Sequence, residues 1–404
     1  MAERIYTDKG ARAGSNTSAC RSEADSTLHR MHLVIAALNR HDRPSGICRY
    51  AANLASCLAT RSRISEITIA IGSWQQHYFR DLLGEDSPVK LLPISTRNNS
   101  IERNQWYWRD LSQLATQLSC DIMHCCFPVP VRRSGFQGLI VTTVHDMYAF
   151  SCPENFGFPA VLFNRAFFRQ ALRASDGVVC DSQETLDCLV RHFRRLPKKK
   201  KVSVIPCCVD FGQVKLREPA FLSLLTAGEF LLCVAQHRKN KNLDLLIKAF
   251  AALKFSGRMP AKLHLIIVGN EGPETPKIKQ LASDLQVTEN IIFVSGLANE
   301  ELAWLYKHCQ LLLIPSSQEG FCLPLVEGMF FGARIVCSDI RILREVGSQN
   351  CFFFDLYGGP EALTTAMCRG MSAPQPEYGS AIERYKPTIV GDLQLRFYEN
   401  LGRG

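Results

Sequence analysis

The chain has 404 residues, of which 46% are hydrophobic and 21% are charged, and its formal net charge is +9. The composition is ordinary for a soluble globular protein, and the length favours two domains over a single core. No run approaches the roughly 18 apolar residues that a membrane-spanning helix needs, and the polar start lacks the apolar core of a secretory signal. We therefore expect a cytoplasmic protein.

Residues 1–30 are polar and aperiodic, which predicts a disordered tail. From Met31 onward, short apolar runs alternate with amphipathic stretches, and several runs are apolar on both faces. The strand-like runs are MHLVIAALN, SEITIAIG, CDIMHCCF, GLIVTTVHD, GVVCDS, KVSVIP, FLLCVAQ, LHLIIVG, NIIFVSG, QLLLIPS and ARIVCSD. The repeated β-α-β order predicts an α/β fold with parallel sheets covered by helices.

Two such units are expected, over residues 31–212 and 213–372, with a polar join between them. Residues 373–404 then form a Pro-rich connector and a last helix. Ligands of open α/β sheets bind at the C-terminal ends of the strands, so a cleft between the two units is the expected site.

Seven basic residues are concentrated in RHFRRLPKKKK, residues 191–201, which holds no acid; without them the net charge would be +2. Such a run suits phosphate or an anionic membrane surface, and a solvated loop is the alternative interpretation. It lacks the pattern of interleaved aromatic residues that a stacking surface needs, so no nucleic-acid role is expected. The 17 cysteines show no C-x-x-C spacing, and neither a metal site nor a disulfide framework is predicted.

The strand QLLLIP leads into a loop with Glu319 and then into a helix with Glu327. Pro324 suits the first turn of that helix and Gly332 suits its end. Amides at its amino terminus form a natural phosphate seat, and carboxylates accept hydrogen bonds from the vicinal hydroxyls of a ribose or a sugar. The amides in question are those of Gly320, Phe321, Cys322 and Leu323. One carboxylate on either side of a phosphate seat, both pointing toward the cleft, predicts a nucleotide-sugar site.

The strand FLLCVAQ is followed by Arg238 and Lys241, with Asn242 as the predicted N-cap of the next helix. Both cations can reach a diphosphate and stabilise it as charge builds on the leaving group. A solvated basic turn is the alternative, but the position of Lys241 opposite the Glu319 loop favours a functional interpretation.

The segment EGFCLPLVEG, followed by VCSDIRILREVG, resembles the Glu-x7-Glu signature of the retaining glycosyltransferases of family 4. The resemblance covers nearly all of residues 31–365 and includes SGICRYAANLASCL, TVHDMYAF, ASDGVVCDSQET, VIPCCVD and QHRKNKNLDLLIKAF. It implies the GT-B fold, in which two doubly wound, Rossmann-like domains face each other across a cleft. The acceptor would bind mostly to the first domain and the donor mostly to the second.

The resemblance also implies roles for individual residues. Glu319 would contact the donor sugar near the reacting centre, and Glu327 would hold the ribose hydroxyls. His145, at the end of the strand GLIVTTV, would lie beside the donor sugar and orient it or support the transition state. Gly46 would allow the backbone to approach the diphosphate. Ser182 is expected to cap a helix.

The chain departs from the family pattern in three places. Cys207 and Cys208 replace an Asn-Gly pair, Gly46 stands alone where many relatives have two glycines, and Ala235 and Gln236 occupy positions where relatives have Arg or Thr. These departures support an alternative, a catalytically inactive nucleotide-sugar-binding or scaffold protein. A sugar epimerase or phosphorylase on the same fold is a third possibility.

The resemblance implies a metal-independent hexosyltransferase without a separate cofactor, and the chain has no Asp-x-Asp motif of the metal-dependent kind. Mannose is the family-level guess for the sugar, with a GDP- or UDP-linked donor. The acceptor would be a glycan or a lipid-linked molecule in surface polysaccharide assembly. The basic run would fit peripheral contact with an anionic membrane at its inner face.

Overall fold

The computed structural model describes residues 29–402 except 41, 44, 154–156, 212–213, 225–229, 258–261 and 348. The predicted disordered tail, residues 1–30, lies outside the described residues apart from His29 and Arg30. These two contact the first domain: His29 Nε2 lies 2.8 Å from Asp121 Oδ1, and Arg30 Nε donates to the carbonyl of Ser62.

The first domain is built on a seven-stranded sheet in which every strand pair is parallel. The strands are β1 (Met31–Ala36), β2 (Ile64–Gly72), β3 (Lys90–Ile94), β4 (Ile122–Cys125), β5 (Leu139–Val144), β6 (Gly177–Cys180) and β7 (Lys201–Val204). Their order is β3-β2-β1-β4-β5-β6-β7. The helices are α1 (Gly46–Ala59), α2 (Gln76–Leu83), α3 (Ser100–Arg109), α4 (Leu111–Gln117), α5 (Tyr148–Ser151), α6 (Ala160–Ala174), α7 (Gln183–His192) and α8 (Leu196–Lys199).

The second domain repeats the plan with six parallel strands. They are β8 (Phe230–Val234), β9 (His264–Val268), β10 (Ile291–Val294), β11 (Leu311–Ile314), β12 (Ile335–Ser338) and β13 (Phe352–Phe354), in the order β10-β9-β8-β11-β12-β13. The helices are α9 (Leu243–Phe255), α10 (Thr275–Asp284), α11 (Asn299–His308), α12 (Leu323–Phe330), α13 (Arg341–Gly347) and α14 (Gly359–Ser372). The α/β fold with two parallel-sheet domains that the sequence predicts is thus confirmed.

The central strands are buried on both faces, which explains their continuous apolar runs. The two strands that the sequence pattern missed, β3 and β13, are both at sheet edges. β3 contains Pro93, which an edge strand tolerates because one row of its amides has no partner strand.

The end of the chain returns to the first domain through α15 (Gly379–Glu383) and α16 (Pro387–Gly402). A Cβ on Gly391 of α16 would lie 2.7 Å from the carbonyl oxygen of Cys57 in α1, so only glycine allows this approach. The Tyr398 hydroxyl oxygen lies 2.5 Å from His124 Nδ1, and Arg63 Nε lies 3.0 Å from Glu399 Oε1. The last helix therefore belongs in space to the first domain.

The cysteines of the described chain are free, and most are buried, as expected of small apolar residues. None of the helices in the described ranges combines the length and apolar character that a bilayer crossing requires.

Candidate active site

A cavity of about 340 Å³ lies between the two domains, at the C-terminal ends of both sheets. This is where open α/β sheets bind ligands. Every predicted site residue except Glu327 lines it. The lining members of that set are Gly46, His145, Arg238, Lys241, Glu319, Gly320, Phe321, Cys322 and Leu323.

Two helix amino termini face each other across this cavity. A Cβ on Gly46, the first residue of α1, would lie 3.9 Å from Cδ1 of Leu323, the first residue of α12. In the described part of the chain, the amides of Gly320, Phe321 and Cys322 donate to no protein acceptor. Helix amino termini carry partial positive charge, and unbonded amides can donate to phosphate oxygens. The arrangement is therefore a seat for an anionic group.

The loop before α12 has an unusual backbone. Cys322, at the N-cap, adopts a left-handed conformation with φ of +77°. Pro324 lies in the first turn of α12, as predicted, and Gly332 follows the helix end with φ of +71°. The helix boundaries thus follow the sequence signals, although the left-handed residue at the start was not predicted.

Lys241 and Glu319 form a buried ion pair at the wall of the cavity. Lys241 Nζ lies 2.5 Å from Glu319 Oε1, and both side chains are largely removed from solvent. Burial alone would lower the pKa of Lys241, but the neighbouring Glu319 carboxylate outweighs it and raises the pKa. Lys241 is therefore cationic, and one oxygen of Glu319 is already engaged.

Arg238 also lines the cavity, but its positive charge is not paired with a carboxylate of the described chain. No carboxylate of the described residues lies within salt-bridge distance of its guanidinium. Burial, and then the positive charge of Arg40, lower the pKa of Arg238, while Asp146 opposes this. The charge of Arg238 is therefore the one that an incoming anion would meet without displacing a carboxylate partner.

Contacts that the sequence did not predict hold these loops together. Asn240 Nδ2 donates to the carbonyl of Gln318 at 3.0 Å, and the Tyr148 hydroxyl, from the first domain, donates to the same oxygen at 3.0 Å. Asn242 occupies the predicted N-cap position of α9, but the prediction that its side chain caps the helix is wrong. Its Nδ2 donates to the carbonyl of Pro315 at 2.9 Å and ties the turn to the loop after β11.

The two domains approach each other closely at Gly320. A Cβ at this position would lie 1.7 Å from the carbonyl oxygen of His145, so no larger residue fits without displacing backbone. The carbonyl of Gly320 accepts hydrogen bonds from the hydroxyls of Ser182, at 2.6 Å, and Thr185, at 3.2 Å. Ser182 also caps α7, as predicted, by accepting from the amide of Thr185 at 3.0 Å.

His145 is held by acceptors on both ring nitrogens. Nδ1 lies 2.9 Å from Asp181 Oδ2, and Nε2 lies 2.8 Å from the carbonyl of Cys126. Burial would lower the pKa of His145, but the hydrogen bond and charge of Asp181 outweigh it and raise the pKa. Both ring nitrogens are thus engaged by protein oxygens, so neither is free to take a proton from a ligand.

Three side chains at the ends of adjacent strands could in principle hold a metal ion. The ligand atoms of His145, Asp181 and Cys207 lie within 4.8 Å of one another. The same atoms are hydrogen-bonded among themselves, since Cys207 Sγ donates to Asp181 Oδ2 at 3.7 Å. That no metal takes part in the function remains a prediction.

The loop VIPCCVD has an ordinary backbone despite its cysteines. Among the described residues with positive φ, neither Cys207 nor Cys208 appears, so this loop does not need the glycine that relatives have. Asn53 Nδ2 donates to the carbonyl of Cys208 at 2.8 Å, and the amide of Val209 donates to the backbone carbonyl of Tyr385 at 3.0 Å. These two hydrogen bonds hold the loop in place.

Glu327 lies just after the first turn of α12, as predicted, but its surroundings were not predicted. It lies in α12, but its side chain is buried and it is not among the described residues that line the cavity. Glu327 Oε2 accepts a hydrogen bond from Tyr306 of α11 at 2.7 Å, and Oε1 lies 3.9 Å from Arg49. Glu327 was expected to point toward the cleft; Tyr306 and Arg49 enclose its carboxylate, and Arg49 separates it from the cavity that Arg49 lines.

Two family models match successive parts of the chain. The model described as Glycosyltransferase Family 4 matches residues 44–213, and the model described as Glycosyl transferases group 1 matches residues 217–369. These ranges correspond closely to the two parallel-sheet domains.

The chain is similar to curated bacterial enzymes over half of its length. It is 26% identical to the O-antigen chain mannosyltransferase B of Escherichia coli over 209 residues, which are 51% of this chain and 54% of that protein. It is 26% identical over 197 residues to N-acetylgalactosamine-N,N'-diacetylbacillosaminyl-diphospho-undecaprenol 4-alpha-N-acetylgalactosaminyltransferase of Campylobacter jejuni, or 49% of each chain. The chain thus spans about half the length of the curated relatives it matches.

The whole architecture is also shared with solved structures. The Anabaena protein HepE, solved in complex with UDP-glucose, aligns with a TM-score of 0.65 and 16% identity over 93% of this chain and 99% of that chain. At this identity the likeness concerns the fold alone. With both domains matched by glycosyltransferase family models and the GT-B architecture in common with solved structures, the chain belongs to the family 4 type of glycosyltransferases.

Proposed function

We propose that the chain transfers a hexose from a nucleotide-diphosphate sugar to a glycan or lipid-linked acceptor, with retention of anomeric configuration and without a metal ion. One observation carries this proposal: two helix amino termini, unbonded amides and the cations Arg238 and Lys241 meet in one inter-domain cavity. These groups are suited to a diphosphate whose charge increases as the glycosidic bond breaks.

In the proposed reaction, the bond between the anomeric carbon and the diphosphate oxygen breaks while the acceptor oxygen bonds to that carbon from the same face. The acceptor's proton passes to the leaving phosphate oxygen. Arg238 and Lys241 stabilise the charge that builds on the diphosphate. Because Glu319 Oε1 is paired with Lys241, we assign Oε2 to a hydroxyl of the donor sugar.

His145 contributes position and charge in this scheme, and not base catalysis. Both of its ring nitrogens face acceptors, and its backbone carbonyl lies against Gly320 at the phosphate seat. The raised pKa of His145 favours the cationic ring, and a cationic ring at this place adds positive potential beside the leaving group.

The ribose role proposed for Glu327 requires a local rearrangement. Tyr306 occupies Oε2, and Arg49, which lines the cavity, lies 3.9 Å from Oε1. A ribose hydroxyl that bonds to Oε1 would take the place of Arg49.

The names of the similar proteins support particular donors and acceptors for this chain. The Escherichia coli relative is a mannosyltransferase of O-antigen chains, which supports mannose, and HepE binds UDP-glucose, which supports a UDP-linked donor as well as a GDP-linked one. The name of the Campylobacter jejuni enzyme describes an undecaprenol diphosphate acceptor, which supports a lipid-linked acceptor and peripheral contact with the inner membrane face.

The proposal is tested with nucleotides first and product analysis second. We expect GDP or UDP to raise the melting temperature, and Arg238→Ala to remove most of that shift. Transfer should proceed in excess EDTA, and NMR of the product should show the anomeric configuration of the donor. Inversion would contradict the retaining mechanism. Stabilisation by no nucleotide diphosphate would favour the inactive alternative.

A further inference from the structure

An imidazole, a carboxylate and a thiol meet at one edge of the sheet of the first domain. His145 directly follows β5, Asp181 directly follows β6, and Cys207 lies three residues beyond the end of β7. The strands β5, β6 and β7 are parallel neighbours, so their carboxyl ends lie side by side. The three residues are 36 and 26 positions apart in the sequence, so no short ligand spacing could reveal them.

The spacing of these three side chains is close to that of zinc ligands. One ligand atom of each residue lies within 4.8 Å of the other two. His145 Nδ1 lies 2.9 Å from Asp181 Oδ2, and Cys207 Sγ lies 3.7 Å from the same oxygen. In a tetrahedral zinc site, ligand atoms about 2.0–2.3 Å from the metal are roughly 3.3–3.8 Å from one another. Displacements of about 1 Å or less therefore convert the observed cluster into a ligand shell.

Asp181 supplies a second, independent indication of a missing partner. Asp181 is 2% exposed, and its Oδ1 accepts no hydrogen bond from another residue of the described chain. A buried carboxylate oxygen without a donor is costly, so it needs an explanation. Asp181 lines the inter-domain cavity together with His145 and Cys207, so a cation can reach all three from that cavity.

The ring of His145 already has the orientation of a metal ligand. Its Nε2 lies 2.8 Å from the backbone carbonyl of Cys126, and its Nδ1 faces Asp181. Metal-bound histidines almost always donate their other ring N–H to a carbonyl, a carboxylate or water, which fixes the tautomer and the ring plane. The ring of Tyr50 packs edge-on against that of His145, with centroids 4.5 Å apart, and fixes the plane further.

We infer that His145, Asp181 and Cys207 form a binding site for Zn²⁺ whose fourth position is open to the inter-domain cavity. Nitrogen, sulfur and carboxylate ligands together suit zinc, whereas Mg²⁺ and Ca²⁺ prefer oxygen ligands alone. Three protein ligands with one open position are typical of zinc ions that hold a water molecule or a small ligand. Water from the cavity would complete the shell.

Binding exchanges protons for the metal ion. The Cys207 thiol loses its proton as its sulfur bonds to the metal, and the proton between His145 Nδ1 and Asp181 Oδ2 is released to solvent. Two protons leave as one divalent ion enters, so the net charge of the buried cluster does not change and the cost of burying the ion stays low. The ion takes no part in the proposed transfer, and the inference does not rest on that function.

Co²⁺ is the probe for this site, because it takes the ligands and geometry of zinc and absorbs light when a thiolate binds it, whereas Zn²⁺ is silent. The full chain is titrated with CoCl₂ in the presence of a phosphine reductant and without nucleotide. We expect a thiolate-to-metal charge-transfer band that saturates at one ion per chain. Zn²⁺ should abolish the band, and an excess of Mg²⁺ should leave it unchanged.

Two variants and a matched control assign the ligands. Cys207→Ser should abolish the charge-transfer band, and Asp181→Asn should weaken Co²⁺ binding by at least about tenfold, since even outer partners of a metal site contribute that much. The control is Cys208→Ser, which removes the neighbouring buried thiol that does not belong to the cluster. It should keep both the band and the affinity of the wild type.

A wild-type chain that gives no charge-transfer band would overturn the inference, and so would a band that Cys207→Ser retains. Circular dichroism checks that Cys207→Ser is folded. Because metal binding is measured without nucleotide, failure of the zinc site would leave stabilisation by UDP or GDP unchanged. Failure of nucleotide binding would likewise leave the Co²⁺ band unchanged, so the two failures are distinguishable.

Discussion

Lys241 and Arg238, the two cations that line the cavity, differ in whether a carboxylate neutralises their charge. Lys241 is paired with Glu319 at 2.5 Å in a largely buried position, whereas Arg238 has no carboxylate partner among the described residues. Removing one member of a buried pair leaves the other charge desolvated and unpaired, which is costly, while removing both is far less so. The site residues are thus coupled to the stability of the fold.

This coupling predicts the outcome of a double-mutant cycle. Lys241→Met and Glu319→Gln should each lower the free energy of unfolding by about 3 kcal/mol. The double variant should lose clearly less than the sum of the two, since no charge is left unpaired. Urea unfolding measures all three, and transfer should be lost in each. Additive losses would show that the pair does not couple the two residues.

The raised pKa of His145 predicts how the stability of the fold changes with pH. Its pKa in the folded chain is raised, because the hydrogen bond and charge of Asp181 outweigh burial. A raised folded pKa stabilises the fold below the unfolded value of about 6.5, and this stabilisation is lost as the pH rises through the folded pKa. The stability advantage of the wild type over His145→Gln should therefore be larger at about pH 5.5 than at about pH 8.5.

Denaturant titrations across that range measure the difference, and NMR of the His145 ring measures its pKa directly. Asp181→Asn is the control, because it removes the charge that raises the pKa while keeping a side chain of similar size. An advantage of the wild type that grows with pH would contradict the assignment.

At the scale of elements, the loop between β11 and α12 depends on Gly320. A Cβ there would lie 1.7 Å from the backbone oxygen of His145, so Gly320→Ala must displace one domain relative to the other. We expect a loss of about 1–3 kcal/mol of unfolding free energy and a loss of transfer. The stability control is Gly46→Ala, whose Cβ meets Leu323 at an ordinary 3.9 Å. Equal melting temperatures for the two variants would show that the contact is not rigid.

The sequence predicted the interior elements better than the edges. Strands buried on both faces read as continuous apolar runs, whereas the edge strands β3 and β13 are short and partly exposed, so their patterns are weak. Pro93 in β3 also argues against a strand unless its edge position is known.

In the site, too, some residues could be predicted from the sequence and others could not. Glu319, Lys241 and Arg238 were predictable because each follows a buried strand whose end must face the cleft. Tyr148 and Tyr306 were not assigned roles, because their partners, Gln318 and Glu327, are distant in sequence. Contacts across domains or between helices have no spacing that a single sequence reveals. For the same reason, the enclosure of Glu327 could not be predicted.

At the scale of the whole molecule, the first domain is completed by the end of the chain. α16 buries Val390, Gln394, Phe397 and Tyr398 as it packs on α1. Burial and the charge of nearby His145 lower the pKa of His124 to about 3, so its ring is neutral and shares a hydrogen bond with the Tyr398 hydroxyl. The first domain is therefore built from two separate parts of the sequence, and the second domain lies between them.

This arrangement predicts that truncation at the C-terminus acts on the first domain. A chain ending at Lys386 would expose the apolar face of α1 and leave His124 without its Tyr398 partner. Hydrogen exchange measured by mass spectrometry should show loss of protection in α1 and β4, while β8 to β11 remain protected.

Tyr398→Phe separates the hydrogen bond from the packing, since it keeps the ring and removes only the hydroxyl. It should cost about 1 kcal/mol, much less than the truncation. If the truncated chain instead lost protection equally in both sheets, the domains would unfold as one unit through contacts such as those of Gly320 and Tyr148. Protection that survives in the second sheet would show that the part of the chain that holds Lys241 and Glu319 keeps its fold without α16.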